Sequence, residues 1–175
     1  MKKITVIFCT AALLGSGASF AAAHLLHVRK VVTIDASADK VWDAAKNFDG
    51  LNTWHPAVES DQIVAGKNNK AGAERLLTLK GGGTIKEKLI SFDSKGRRFR
   101  YRIVEGVLPV SDYSSTFSVK STGRNKSEAI WAGWFKRKDT GAHPAAADDD
   151  KAAVTAISGV YQSGLDNLKK VVEAK

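Results

Sequence analysis

Only one cysteine, Cys9, occurs in the 175 residues, and it lies in the first apolar stretch. No disulfide can form within the chain. Once that stretch is removed, thiol catalysis and cysteine metal sites are excluded as well. A domain that folds in an oxidising compartment without disulfides rests on its hydrophobic core, which a chain of about 150 residues can supply. Long apolar runs are missing too: residues 4–14 give about 11 apolar positions, where a membrane-spanning helix needs roughly 20. The histidines His24, His27, His55 and His143 show no metal-ligand spacing. No nucleophile motif, acid/base pair, cofactor fingerprint or internal repeat is present, so neither a metal nor a cofactor is predicted.

What is present begins with a leader. Lys2 and Lys3 precede the apolar run, and small residues follow it to Ala21, Ala22 and Ala23, the pattern of a secretory signal cut before His24. Phe8, before Cys9, is too bulky for a lipidation site. The expected division is a signal peptide over residues 1–23 and one domain over residues 24–175, periplasmic or secreted. The net charge of +9 loses two lysines with the leader and stays basic. Such a charge favours an acidic protein or membrane surface as partner. Nucleic acid is not expected of an exported protein.

The mature part alternates apolar and polar residues over 28–36, the period of a half-buried strand. Ser37 then caps a short helix carrying Val41, Trp42, Ala45 and Phe48, and a second short turn covers residues 51–54. Six further strands are predicted over 57–65, 73–80, 83–93, 97–105, 111–120 and 126–138. The short breaks between them imply an antiparallel meander. Asp148, Asp149 and Asp150 open a last segment whose Val154, Ile157, Tyr161, Leu165, Leu168 and Val172 recur at helical spacing. A long helix covering one curved sheet is an α+β fold. Gly159 and Gly164 in that helix are open to two readings, room for a cavity or close packing on the sheet.

The order of these elements, with residues 36–42 (ASADKVW), 48–51 (FDGL), 54–56 (WHP) and 84–89 (TIKEKL), resembles the START/Bet v 1 helix-grip superfamily over residues 27–172. Within it the chain is most similar to the polyketide cyclase/dehydrase and lipid-transport group. The resemblance implies a helix-grip fold: about seven strands curved around the C-terminal helix, with two short helices after the first strand. It also implies a cavity for a small hydrophobic molecule, lipid-, polyketide- or aromatic-like. Residues 79–83 and 105–113 are similar to the gate and latch loops of plant abscisic-acid receptors, which marks Gly81, Gly82, Gly83, Leu108 and Pro109 as loop residues. Glu87, Tyr113 and Ser115 match polar cavity residues there. Glu59 stands where those receptors carry a hormone-anchoring lysine, so carboxylate binding is not implied.

Strand parity places Glu87 with Ile85 and Leu89 on one face, and Tyr113 with Ser115 and Phe117. An acid at an inward position needs a partner, either a ligand or a neighbour such as Tyr113 or an arginine. The ligand-binding residues expected are Glu87, Tyr113, Ser115, Trp54, Glu59, Leu89, Phe117, Tyr101 and Leu108. Trp54 is placed at the cavity mouth beside His55, which is either a general base, the one weak catalytic candidate, or a loop-packing residue. Lys86, Lys88, Arg98, Arg100 and Arg102 point the other way as a basic outer stripe, either a docking face or a solvated exterior. Three functions remain open. The first is an exported binding protein. The second is a cyclase, dehydratase or isomerase using the same cavity. The third, implied by similarity to a periplasmic branch that accompanies bacterial methanol oxidation, is an accessory protein acting through the basic face.

Overall fold

A computed structural model describes residues 23–174. The leader, residues 1–23, falls outside the described residues except for Ala23, and so does Cys9. Strand β1 (Leu26–Ile34) is followed by helix α1 (Ala38–Ala45) and a 3-10 turn (Leu51–Thr53). Then come β2 (Val58–Ala65), β3 (Glu74–Leu79), β4 (Thr84–Asp93), β5 (Arg98–Gly106), β6 (Val110–Gly123), β7 (Lys126–Arg137) and helix α2 (Asp150–Glu173). The strands form one antiparallel sheet in the order β1-β7-β6-β5-β4-β3-β2. Consecutive hairpins build it from β2 to β7, turning at glycine or polar residues except at residues 107–109, and β1 pairs with β7 at the far edge. This is the helix-grip α+β fold expected, with one α-helix and one 3-10 turn as its short helices.

Side-chain oxygens cap both α-helices. Ser37 Oγ accepts from the Lys40 amide at 3.3 Å, and Asp149 Oδ1 from the Ala152 amide at 2.7 Å. Asp150, in the first turn of α2, also meets Arg137 Nη1 at 3.0 Å. Ala153, Ile157, Tyr161, Leu165, Leu168 and Val172 are buried along one face of α2. At about 1.5–3 kcal/mol for each large apolar side chain removed from water, this stripe is what holds the helix on the sheet.

The two glycines of α2 separate. Gly159 is exposed, and nothing stands near where its Cβ would be. Gly164 is buried, and a Cβ there would strike the His55 ring and Trp131. Of the two readings, close packing is the one found. On the outer face, Arg98, Arg100 and Arg102 are exposed, while Lys86 and Lys88 are half-buried and both reach Glu74, at 3.8 and 3.1 Å. Trp131 points inward; Trp134 points outward and stacks on His27 at 4.2 Å.

Candidate ligand cavity

Between the sheet and α2 lies a cavity of about 70 Å³. Its apolar wall comes from Leu51, Ala57 and Val58 before and on β2, Leu77 and Leu79 of β3, Ile85 of β4, Leu108 of the β5–β6 loop, and Ile157 and Val160 of α2. Its polar lining is His55, Glu87, Tyr101, Tyr113 and Trp131. At about 10–15 Å³ for each water-sized group, this volume holds about five to seven of them, the size of a single ring.

Glu87 is paired inside the protein. Arg75, on β3 directly opposite Glu87, is buried and gives its Nε–H to Glu87 Oε2 at 2.7 Å, with Nη2 in ion-pair contact with the same oxygen at 2.6 Å. Its Nη1 donates to the Phe48 carbonyl and reaches Asp61 Oδ2 at 3.2 Å. The guanidinium also lies 4.2 Å over the Phe48 ring. Two carboxylates thus share one cation. Burial pushes both carboxyl pKa values up, and Arg75 pulls them back only in part. Asp61 Oδ1 is buried without a hydrogen-bond partner.

Behind this cluster runs a chain of hydroxyls. Trp131 Nε1–H donates to Tyr101 Oη at 2.9 Å, and Tyr101 and Tyr113 hydroxyls are 3.3 Å apart. Tyr113 and Tyr161 are 2.7 Å apart, Tyr161 donates to Ser115 Oγ at 2.9 Å, and Ser115 donates to the Ala132 carbonyl at 3.0 Å. Gly133 makes this possible. It lies opposite Ser115, and a Cβ there would occupy the place of the Tyr161 hydroxyl. Burial drives the pKa values of all three tyrosines up, so they stay protonated.

His55 is held at both nitrogens. The Ala57 amide donates to Nδ1 at 3.2 Å, so the proton is on Nε2, which donates to the Val160 carbonyl at 3.0 Å. Burial lowers its pKa and keeps it neutral. It has no free nitrogen with which to act as a general base, so of the two readings the packing role is the one that fits.

Of the residues expected to bind ligand, Glu87, Tyr101, Tyr113 and Leu108 line the cavity. Ser115 stands two hydrogen bonds behind it, through Tyr161 and Tyr113. Leu89 and Phe117 are fully buried core, and Trp54 packs against Phe117 and Trp131 rather than forming a mouth. These three make no part of the wall. Glu59 is exposed. The register of β2 shifts between Val58 and Ser60, so Val58 and Asp61 both face inward while Glu59 turns to solvent. The inward acid of this strand is Asp61.

The two loops meet over the cavity. Gly82 and Gly83 have φ of 89° and 85°, a conformation that favours glycine. A Cβ on Gly83 would come within 2.6 Å of Val107, so the glycine lets the loops close against each other. Gly81 has open space around it, and the Pro109 carbonyl accepts from the Lys138 amide. Sequence reasoning missed Arg75, Asp61 and Tyr161 as members of the site. Tyr161 had been counted only as part of the apolar stripe; Gly133, a glycine between aromatic residues within a strand, was the signal of a close approach.

The family described as polyketide cyclase/dehydrase and lipid transport matches residues 26–173. Among solved structures, an uncharacterized protein from Bacillus thuringiensis is 30% identical with a TM-score of 0.73, over 84% of this chain and 98% of that one. The protein XoxI from Bacillus cereus is 29% identical with a TM-score of 0.72, over 83% of this chain and 94% of that one. The Zhui aromatase/cyclase from Streptomyces sp. R1128 has a TM-score of 0.67 over 86% of this chain and 94% of that one, at 19% identity, a likeness of fold alone. A search of curated proteins finds no match.

Proposed function

Because the chain belongs to the polyketide cyclase/dehydrase and lipid transport family, a hydrophobic ligand-binding fold, we propose that it is an exported binding protein that holds a small apolar molecule in the cavity between sheet and helix. The observation that carries this reading is the cavity itself: an almost wholly apolar surface, Glu87 among its lining, and two loops closing over it. Binding is favoured over catalysis because His55 is locked as a neutral ring at both nitrogens and Glu87 is bound to Arg75. A group that must take and return protons needs a free position. The cavity as closed fits a single ring. A lipid chain or a polyketide requires the loops to part at Gly83 and Val107.

Export rests on the leader pattern of residues 1–23. The exposed Arg98, Arg100 and Arg102 supply a basic exterior suited to an acidic protein or membrane surface, at which the ligand would be collected or delivered. Native mass spectrometry of the protein recovered from the exported fraction of its host tests both parts. The expected result is a chain beginning at His24 with a small molecule attached, and loss of the adduct in Leu108→Trp, which fills the cavity from the loop. A retained Met1 contradicts export, and an adduct undiminished in the folded variant contradicts the cavity.

A further inference from the structure

The positions of the hydrogens in the hydroxyl chain fix what the cavity offers a ligand. A carbonyl oxygen only accepts and an indole N–H only donates. With the Ser115 hydrogen on the Ala132 carbonyl, Tyr161 must donate to Ser115. Tyr113 must then donate to Tyr161, and Tyr101 to Tyr113, which leaves Tyr101 to accept from Trp131. The Ala132 carbonyl at one end imposes this direction, and the Trp131 indole at the other is compatible with it. Every hydroxyl hydrogen in it is therefore committed. The one ring hydrogen of His55 is committed too, to the Val160 carbonyl.

Acceptor capacity is what remains. Tyr101 and Tyr113 line the cavity, but its surface is almost wholly apolar, so they present their rings to it while their hydroxyls stay in the chain. Glu87 lines it as well and supplies the acceptor: its Oε2 is taken up by Arg75, and its Oε1 has no partner among the described residues. Asp61 and Glu87 together leave the cluster with one negative charge in excess over Arg75 when both are ionised, which adds to the attraction for a donor.

Resting on the ligand-binding reading above, we infer that the cavity selects ring-sized apolar molecules whose buried end donates a hydrogen bond, a hydroxyl or an N–H, and refuses ends that only accept, such as ethers and carbonyls. An accepting end would meet no free hydrogen-bond donor among the described lining residues and lose the bonds that it had in water.

Pyrrole and furan test this directly, since the two five-membered rings have nearly the same size and differ in presenting N–H or an ether oxygen. Each is titrated into the mature protein and followed by the shifts of the tryptophan indole N–H resonances. Pyrrole is expected to bind at least about tenfold more tightly, the factor for a hydrogen bond to a charged or strongly accepting group. Furan binding as tightly as pyrrole overturns the donor rule and leaves the cavity reading standing. If neither ring binds, both fall. In Glu87→Gln, Arg75 retains the amide oxygen and the amide NH₂ must face the cavity, turning an acceptor into a donor. The preference for pyrrole should then fall below about threefold, on the same scale of hydrogen-bond energies. An unchanged preference in the folded variant overturns the assignment of Glu87 as an open acceptor.

Discussion

His55 shows how much of a side chain's role is set by where its hydrogens go. A lone histidine beside a pocket reads as a general base until both nitrogens are found bonded to backbone. Its burial makes a prediction about stability. The folded state holds the ring neutral, with its pKa below the ordinary value near 6.5, whereas the unfolded chain takes up the proton as pH falls through that value. Stability from this residue is present above about pH 6.5 and is lost as pH falls toward the folded pKa. Asp61 and Glu87, shifted upward, have the opposite sign: their contribution is largest in acid and declines as pH rises through their folded pKa values. Urea unfolding of wild type and His55→Gln between pH 5 and 7.5 separates the two. The difference in unfolding free energy between them should narrow as pH falls, and a difference constant across the range would show that the ring does not titrate on unfolding.

At the scale of elements, the strands and the long helix were legible because burial on one side writes a period of two or of three to four residues into a sequence. The bulge in β2 was not legible: residues 59 and 61 share parity, and the bulge turns Glu59, marked by the resemblance, outward while Asp61 stays inward. Parity counted from one end of a strand fails beyond a bulge, and nothing in the local sequence marks this one. The Arg75 cluster was hidden for another reason: it joins β2, β3, β4 and the Phe48 carbonyl, and no single segment reveals such a meeting. The glycines of α2 give a contrast that tests the packing. Gly164→Ala must displace His55 or Trp131 and should destabilise by about 1–3 kcal/mol, the usual cost of overpacking. Gly159→Ala, in open space on a helix, should stabilise by about 0.5–1 kcal/mol. Thermal unfolding of both variants decides the matter; equal effects would mean that the two positions are not packed differently.

For the molecule as a whole, the two faces of the sheet offer rival places for a small apolar molecule. The inner one is the cavity under Leu108 and the glycine loop; the outer one is a shallow hollow between Arg100, Ala132 and the exposed Trp134, with Leu25 at its rim. A family fold is compatible with many functions, so only the site decides among them. Trp131 and Trp134, three residues apart on β7 and facing opposite ways, report on the two places separately. The most direct measurement is a benzene titration of the ¹⁵N-labelled mature protein, because benzene has no polar end and asks only where apolar matter goes. The account predicts that the Trp131 indole N–H resonance shifts and saturates while that of Trp134 stays in place. A shift confined to Trp134, with Trp131 unmoved, would contradict it.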